Sequence, residues 1–449
     1  MALVKKKDDI LYWGIAGLVL YMPLHYYLCE LLLSGTNWDN IARDAVIFLL
    51  VAMVFFRRST FTGLQSVLVL AGAALIAVLG IVSTVCNQVM PILNIMRTYL
   101  VPMLIFFVSK SVSLTRERFA RLNLFLITEL AVVALYGFIQ AFFLTDDFLI
   151  LLGYPNNGQH LSSTSFYISY FHGYQRTVGT FISPNIFGAI ATVALCTLLF
   201  ADRSRSFCWR YAWGTLLMVG LVTSYSRSAW VGFAAATCFY ILISKAWTRL
   251  SKKTVRRGLL VVLTAAGFFL FDQLVLNGLC LRMLLSTVFR TFNGEDPSAG
   301  THMDHILAPP PVQTPDIEIG EESGSQLGMF LHFGMNGPMA NEFLDNATNV
   351  ESSLYLMVYE MGVVGAVLYF APYITVILQT IYNRKRYPYF VPAAVSITVL
   401  ISYLFLPNVQ TFEIPFYCFL FMGLYANPTV KALFTPSGQE TNNEVIENG

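Results

Sequence analysis

Long runs of apolar residues recur along the whole chain, and the segments between them hold most of its charged residues. Many of these runs reach about 20 residues, the length of helix that crosses the hydrocarbon core of a bilayer. Their hydrophobicity does not alternate with a period of two, so they read as helices rather than membrane strands. We therefore predict an all-α, polytopic membrane protein. About twelve transmembrane helices are expected, at residues 11–33, 42–56, 65–85, 89–109, 122–145, 184–201, 211–224, 229–245, 258–278, 352–380, 389–406 and 411–427.

Two outer connecting segments exceed turn length, the first at about 146–183 and the second, much the longer, at about 279–351. The second begins with LRMLLSTVFRTF, which has the apolar spacing of a helix, and continues into residues 308–326, which are acidic, rich in proline and expected to be flexible. The C-terminal tail is polar, and we expect it to be disordered. The predicted organisation is helices 1–9 in residues 1–278, an extracytoplasmic loop in 279–351, helices 10–12 in 352–428 and a cytoplasmic tail in 429–449.

The composition agrees with a membrane location. Hydrophobic residues make up 56% of the 449 residues, charged residues make up only 12%, and the mean hydropathy is +0.61. A soluble protein of this length would carry far more charge on its surface. The first apolar run lacks a small-residue cleavage site, so we interpret it as a span rather than a secretory signal. The seven scattered cysteines imply no disulfide framework.

Lysine and arginine are distributed unevenly among the connecting segments. Of the 28 such residues, 22 lie in alternate segments, as the positive-inside rule requires if both termini are cytoplasmic. Because an arginine fork binds phosphate or carboxylate with two bonds, an all-arginine remainder indicates an anion site. A chance occurrence of six arginines is the alternative, and we favour chance for Arg43 and Arg282. The remainder is Arg43, Arg97, Arg176, Arg227, Arg282 and Arg290.

The stretch SYSRSAW, residues 224–230, lies between the seventh and eighth predicted spans. It holds Arg227 at the outer edge of the membrane, where a positive charge opposes the orientation rule and where charge usually marks function. In the alternative interpretation, Arg227 only extends to the interface beside Trp230. We predict that Ser226, its neighbour, contacts the same ligand.

The stretch RTVGTFISPN, residues 176–185, precedes the sixth predicted span. Gly179 permits an unusual turn. Ser183 is suited to the N-cap of the following helix and Pro184 to its first turn. Because helix N-termini favour anions, we predict that Arg176 and Asn185 bind the anionic substrate. An ordinary interfacial arginine beside an ordinary cap is the alternative.

Three further charged positions are candidates for the site. Arg97 lies roughly 12 Å deep in the fourth span, so it needs a carboxylate such as Glu360, an anionic ligand or a water-filled cavity. Arg290 either joins the anion site or is a solvated surface charge. Glu351, at the outer mouth of the tenth span, is a candidate general base, although a carboxylate there also matches the helix dipole. The histidines lack metal-site spacing, so we predict no metal.

Four features in this order resemble the O-antigen ligase and O-antigen/exopolysaccharide polymerase superfamily of bacterial inner membranes. They are RTVGTFISPN, SYSRSAW, the long outer loop, and NVESSLYLMVYEMGVVG after it. The resemblance implies a GT-C-type glycosyltransferase of the plasma membrane that needs neither a metal nor another cofactor. Both termini would be cytoplasmic, and the active site would lie on the extracytoplasmic face.

The resemblance also implies a donor, a glycan carried on undecaprenyl pyrophosphate. Arg176 and Arg227, joined by Arg290, would stabilise the pyrophosphate leaving group, while a base accepts the proton of an attacking sugar hydroxyl. Ligases of this family carry a histidine before the tenth span. Here that stretch offers Glu351, and His332 lies earlier, in LHFGMNG. This departure favours a polymerase over a ligase.

Two alternatives to a polymerase stay open, a ligase and a transporter or flippase of an anionic lipid or solute. A transporter should place its charges near mid-membrane in two related halves, whereas most candidates here cluster at the outer edge. The expected partners are the lipid-linked glycan, the bilayer and other assembly proteins such as a chain-length regulator or flippase. Nucleic acid is not expected.

Overall fold

The chain is helical almost throughout the part that the structure, a computed structural model, describes. One antiparallel pair of two-residue strands is the exception, with Tyr167 opposite Gln175 and Ile168 opposite Tyr174. This is the organisation of a helical membrane protein. The described residues are 2–32, 38–86, 89–144, 146–151, 167–168, 174–201, 207–245, 252–293, 352–385, 387–406 and 411–435.

Ten of the described α-helices and both described strands lie before residue 246. The helices are α1 (Ala2–Tyr21), α2 (His25–Leu32), α3 (Trp38–Phe55), α4 (Leu64–Cys86), α5 (Val89–Ser111), α6 (Arg116–Phe143), α7 (Asp146–Leu151), α8 (Pro184–Phe200), α9 (Phe207–Thr223) and α10 (Arg227–Ser244), and the strands are β1 (Tyr167–Ile168) and β2 (Tyr174–Gln175). The remaining helices are α11 (Lys252–Val275), α12 (Leu279–Asn293), α13 (Ser353–Asn383), α14 (Val391–Phe405), α15 (Glu413–Ala426) and α16 (Pro428–Phe434).

A helix overlaps each of the twelve predicted spans. In the described residues, three helical segments are long and apolar enough to cross a membrane: Arg116–Phe143, Arg227–Ser244 and Val363–Asn383. A bent pair, Ala266–Val275 with Leu279–Arg290, could form a fourth. The total of twelve spans therefore stays a prediction.

The first predicted span, 11–33, is broken. Helix α1 ends at Tyr21, a single 3-10 turn follows at Met22–Leu24, and α2 begins at His25. Pro23 explains the break, because proline removes a backbone donor and clashes with the preceding helical turn. The turn places the Pro23 carbonyl where it accepts a hydrogen bond from the Thr180 hydroxyl, ahead of α8.

Helices α8 and α15 form the centre of the bundle. All of α8 is buried except Asn185 and Leu199, and all of α15 is buried except Ala426. Helix α8 packs against α6, α9, α10, α14 and α15, while α15 packs along α5. Helices that are apolar on every side are expected at such a position. Packing by these five helices therefore fixes the start of α8. It also fixes the position of the segment that carries Arg176 and leads into α8.

The C-terminal tail begins with structure rather than disorder. Helix α16 follows Asn427, whose side chain caps it through the backbone N–H groups of Thr429 and Val430. Val430 is fully buried, and Phe434 stacks on Tyr389 with ring centroids 4.7 Å apart. The expectation of a disordered tail is therefore wrong for its first residues, because Val430 and Phe434 anchor them. Residues 436–449 lie outside the described part.

Candidate functional site

The turn between α9 and α10, Ser224–Ser226, is held rigidly. Tyr225 has a left-handed backbone with φ of 51°. The Ser224 hydroxyl donates to Leu221 O over 2.7 Å and accepts from Ser226 N over 3.3 Å. Trp230 Nε1 donates to the same Leu221 oxygen over 2.8 Å. Because the serine hydroxyls satisfy the backbone of a buried turn, Arg227 begins α10 from a fixed position.

The segment before α8 is tied to the end of α9. Thr177 N donates to Thr223 O over 3.0 Å, and the two threonine hydroxyls are 2.7 Å apart. Gly179 adopts φ of 65° and donates its N–H to Gln140 Oε1 over 3.0 Å. The predictions of an unusual turn at this glycine, an N-cap at Ser183 and a proline in the first turn are confirmed.

Arg176 joins the two motifs. Its Nε donates to the Ser224 carbonyl over 2.8 Å, and its Nη2 donates to Asn185 Oδ1 over 2.9 Å. RTVGTFISPN and SYSRSAW, which are 38 residues apart at their closest ends in the sequence, therefore meet through one guanidinium. Asn185, predicted as a substrate contact, lies in the first turn of α8 and positions this arginine.

Helix α8 closely approaches the start of α10 at Gly188, one turn after its own N-terminus. A Cβ at Gly188 would lie 2.9 Å from Ser226 Cβ, 3.0 Å from Ser224 Oγ and 3.1 Å from Ala229 Cβ. Two helix N-termini thus lie side by side, and each begins next to an arginine. Because each N-terminus carries a partial positive charge, the arrangement concentrates positive potential at one place. Ser226 is the N-cap residue of α10, but its hydroxyl makes no capping bond.

Helix α12 covers the turn from the other side. The chain bends by 112° between α11 and α12, with left-handed Asn277 and Gly278 at the corner. Buried Asp272 stabilises this corner, since its carboxylate accepts from Cys280 N over 2.8 Å and Leu281 N over 3.1 Å. Tyr225 of the turn then packs against Met283 of α12.

Helix α12 carries Arg282 and Arg290. In the contacts that the structure describes, Arg282 alone bonds to the bend between α11 and α12. Arg282 donates to the carbonyls of Gly278 and Asn277, its own local turn. Arg290, predicted in the outer loop, lies in the last turn of α12. It therefore stands on the helix that packs over Tyr225, about eleven residues or 16 Å along the helix from Leu279. No contact that the structure describes joins it to Arg176 or Arg227.

Arg97 has a carboxylate partner of its own. Its Nε lies 2.5 Å from Asp44 Oδ2. The requirement for a carboxylate is met by this aspartate, and the Glu360 side chain lies outside the described residues. Arg43 shares the same aspartate, with its Nη2 2.8 Å from Oδ1. The sequence alone favours a chance occurrence for Arg43, whereas its side chain is 3% exposed and belongs to this cluster.

Several residues of this region were not anticipated from the sequence. Asp44, Asp272 and Gln140 each accept a hydrogen bond or ion pair that fixes a functional segment. A signal was present for Asp272, which is the one charged residue in the predicted span 258–278. Glu351, the predicted base, and His332 lie outside the described residues, so their roles stay predictions.

The region that the structure describes contains no cluster of three or more metal-ligating side chains. The sequence matches no known protein family. It is also not significantly similar to any curated protein.

Proposed function

We propose that the protein is a membrane glycosyltransferase that polymerises oligosaccharide repeat units carried on undecaprenyl pyrophosphate into a surface polysaccharide. The observation that supports this most directly is the pair of bonds from Arg176 to Ser224 O and Asn185 Oδ1. These bonds connect RTVGTFISPN with SYSRSAW, next to the N-termini of α8 and α10. A pyrophosphate is the anion that such a site suits best, since it offers several oxygens to two forks and two helix ends.

The site would act by stabilising the leaving group. As the bond between the donor sugar and the pyrophosphate breaks, negative charge grows on the bridging oxygen. Arg176 and Arg227, held in place before the reaction, would stabilise that charge without reorganising. Arg290 would approach from α12, and Ser226 would add a hydroxyl.

The reaction balances without a metal or a nucleotide sugar. A hydroxyl of the acceptor glycan forms the new bond to the anomeric carbon of the donor. The donor's bond to oxygen breaks with its electron pair, and undecaprenyl pyrophosphate leaves. The proton of the attacking hydroxyl passes to a base, for which Glu351 is our candidate.

The finer architecture belongs to the same proposal. Twelve spans in a GT-C arrangement would place both termini in the cytoplasm and the arginine site on the outer face of a bacterial plasma membrane. The distribution of lysine and arginine supports this orientation. A chain-length regulator or a flippase would be the expected protein partners.

Reconstitution tests the proposal. The purified protein is placed in liposomes with an undecaprenyl-pyrophosphate oligosaccharide, a chelator and no other acceptor, and the lipid-linked products are separated on a gel. We expect a ladder of longer glycans from the unaltered protein.

Matched variants give the control. Arg176→Gln and Arg227→Gln should abolish the ladder, whereas Arg282→Gln should preserve it, because Arg282 bonds to its own turn. A ladder that survives both of the first changes would refute the arginine site. Transfer to an added acceptor without any ladder would make the protein a ligase.

A further inference from the structure

Tyr225, in SYSRSAW, has a backbone conformation that an aromatic residue rarely adopts. Its φ of 51° lies in the left-handed region, where the backbone crowds a bulky side chain. Two other non-glycine residues of the described chain share this conformation, Lys245 and Asn277, and both are exposed. Tyr225 is 4% exposed. Gly179 adopts the same region without strain. A strained tyrosine beside the arginines therefore indicates that its side chain has a role there.

Helix α12 holds the ring of Tyr225. The tyrosine hydroxyl donates to the backbone carbonyl of Cys280 over 3.3 Å and lies 3.5 Å from its Sγ. The ring packs against Met283, which is fully buried. Both partners lie near the start of α12. On the α10 side, the Trp230 ring lies 6.3 Å away, measured between centroids. The position of the tyrosine ring therefore follows the position of α12.

The peptide between Ser224 and Tyr225 is the part of the turn that contacts Arg176. Its N–H donates to Val222 O over 3.1 Å, and its carbonyl accepts from Arg176 Nε over 2.8 Å. Because the N–H and the carbonyl of a trans peptide point in opposite directions, these two bonds fix one plane from both sides. The φ angle of Tyr225 is the rotation between this plane and the rest of the tyrosine. With the ring held by α12, a change in φ would turn the carbonyl away from Arg176.

We infer that Tyr225 is a positioning residue, through which the packing of α12 fixes the carbonyl that orients Arg176. This inference rests on the proposed function, in which Arg176 meets the pyrophosphate. Tyr225 acts through the Ser224 carbonyl, so its effect on anion binding depends on Arg176. The strained conformation is retained because the ring ties the turn to α12, the helix that also carries Arg290.

A double-mutant cycle with Arg176→Gln separates positioning from general stability. The dissociation constant for undecaprenyl pyrophosphate without glycan is measured in detergent for the unaltered protein, Tyr225→Gly, Arg176→Gln and the double variant. Glycine adopts the left-handed backbone without strain but removes the ring. We expect Tyr225→Gly to weaken binding about tenfold when Arg176 is present, as for coupled residues of one hydrogen-bond network. It should have almost no effect when Arg176 is already replaced.

Tyr225→Phe carries the same test if the glycine variant is too unstable to purify. Phenylalanine keeps the packing on Met283 and loses the bond to the Cys280 carbonyl, so we expect about threefold weaker binding, again only when Arg176 is present. Tyr12→Phe is the matched control. The Tyr12 hydroxyl donates to the backbone carbonyl of Arg118, at the start of α6, so its loss should leave the affinity unchanged.

The outcomes separate this inference from the proposed function. Equal losses with and without Arg176 would show that Tyr225 only stabilises the fold. Unchanged affinity in both Tyr225 variants would show that the ring does not position the arginine. Either result overturns the inference while the proposed function stands. If Arg176→Gln alone left the affinity unchanged, the anion site itself would be refuted, and the inference and the proposed function would both fall.

Discussion

Among the contacts that the structure describes, Arg176 donates to two acceptors that carry no formal charge, a backbone carbonyl and a side-chain amide oxygen. These bonds fix the plane of the guanidinium. Arg43 is different, because Asp44 neutralises much of its charge. At the scale of single residues, the described contacts of Arg176 are with neutral groups, whereas those of Arg43 include a carboxylate.

Arg227→Lys tests the need for a fork. Lysine keeps the charge but cannot form two parallel bonds to a phosphate. We expect polymerisation to fall on the order of a hundredfold, nearly as much as in Arg227→Ala, because removing one preorganised donor costs that much in comparable sites. Turnover is measured in liposomes. Full activity in the lysine variant would exclude a bidentate role.

Asn185→Asp tests the charge of the site. The aspartate should still accept from Arg176, so the fold should be retained. Its negative charge would repel the pyrophosphate, and we expect turnover to fall about tenfold or more, since about 1.4 kcal/mol gives that factor. Asn185→Ser is the neutral control. If the aspartate variant were as active as the serine variant, no anion would bind there.

The sequence predicted that Arg176, Asn185 and Ser226 contact one ligand, because their two motifs stand at the starts of predicted helices. They did not predict the partner of Arg97. Asp44 is separated from it by a whole helix in the sequence, and only the packing of α3 on α5 brings them together. Pairings of this kind depend on rotations of helices about their axes, which a hydrophobic pattern does not specify.

At the scale of elements, Gly188 sets how closely α8 and α10 approach. Side-chain atoms of Ser226, Ser224 and Ala229 occupy the space that a Cβ would need. The close contact brings the positive ends of both helices together, so the electrostatics of the site depend on a glycine that contacts no ligand.

Gly188→Ala should separate the two helices. We expect a loss of about 1–3 kcal/mol in stability from overpacking and a fall in turnover, because Arg176 would lose its alignment with Ser224 O. Gly267→Ala is the matched control, since nothing lies within 4 Å of its Cβ. Thermal unfolding in detergent measures both variants. Equal stability for the two would contradict the close contact.

The hydrophobic pattern predicted the positions of the helices but not their interruptions. Pro23 and the Asn277–Gly278 pair both lie inside or at the edge of apolar runs, and the runs alone read as continuous. The 112° bend also requires the Asp272 carboxylate to reach across to α12. The length of an apolar run indicates how many residues are shielded from water. A bend in the helix depends instead on a few backbone dihedral angles and one capping side chain.

At the scale of the whole molecule, the distribution of lysine and arginine predicts how the bundle is oriented in the membrane. Lysines and most arginines lie in alternate connections, and the exceptions are all arginines. If the first set faces the cytoplasm, the arginine site faces outward, where lipid-linked glycans would be presented.

Cysteine labelling tests this orientation. Cys208, exposed at the start of α9, should face the cytoplasm, and a cysteine at Arg282, exposed on α12, should face outward. Each is studied with the other cysteines replaced by serine. In right-side-out vesicles, a membrane-impermeant maleimide should label Arg282→Cys and should label Cys208 only after permeabilisation. The opposite pattern would invert the topology.

A double-mutant cycle on the affinity for undecaprenyl pyrophosphate tests directly whether Arg176 and Arg227 bind the same anion. The dissociation constant is determined for the unaltered protein, Arg176→Gln, Arg227→Gln and the double variant. If both arginines bind one pyrophosphate, each single change weakens binding, and the double change departs from additivity by at least about 0.5 kcal/mol. Unchanged affinity in the single variants, or strictly additive losses, would contradict a shared site.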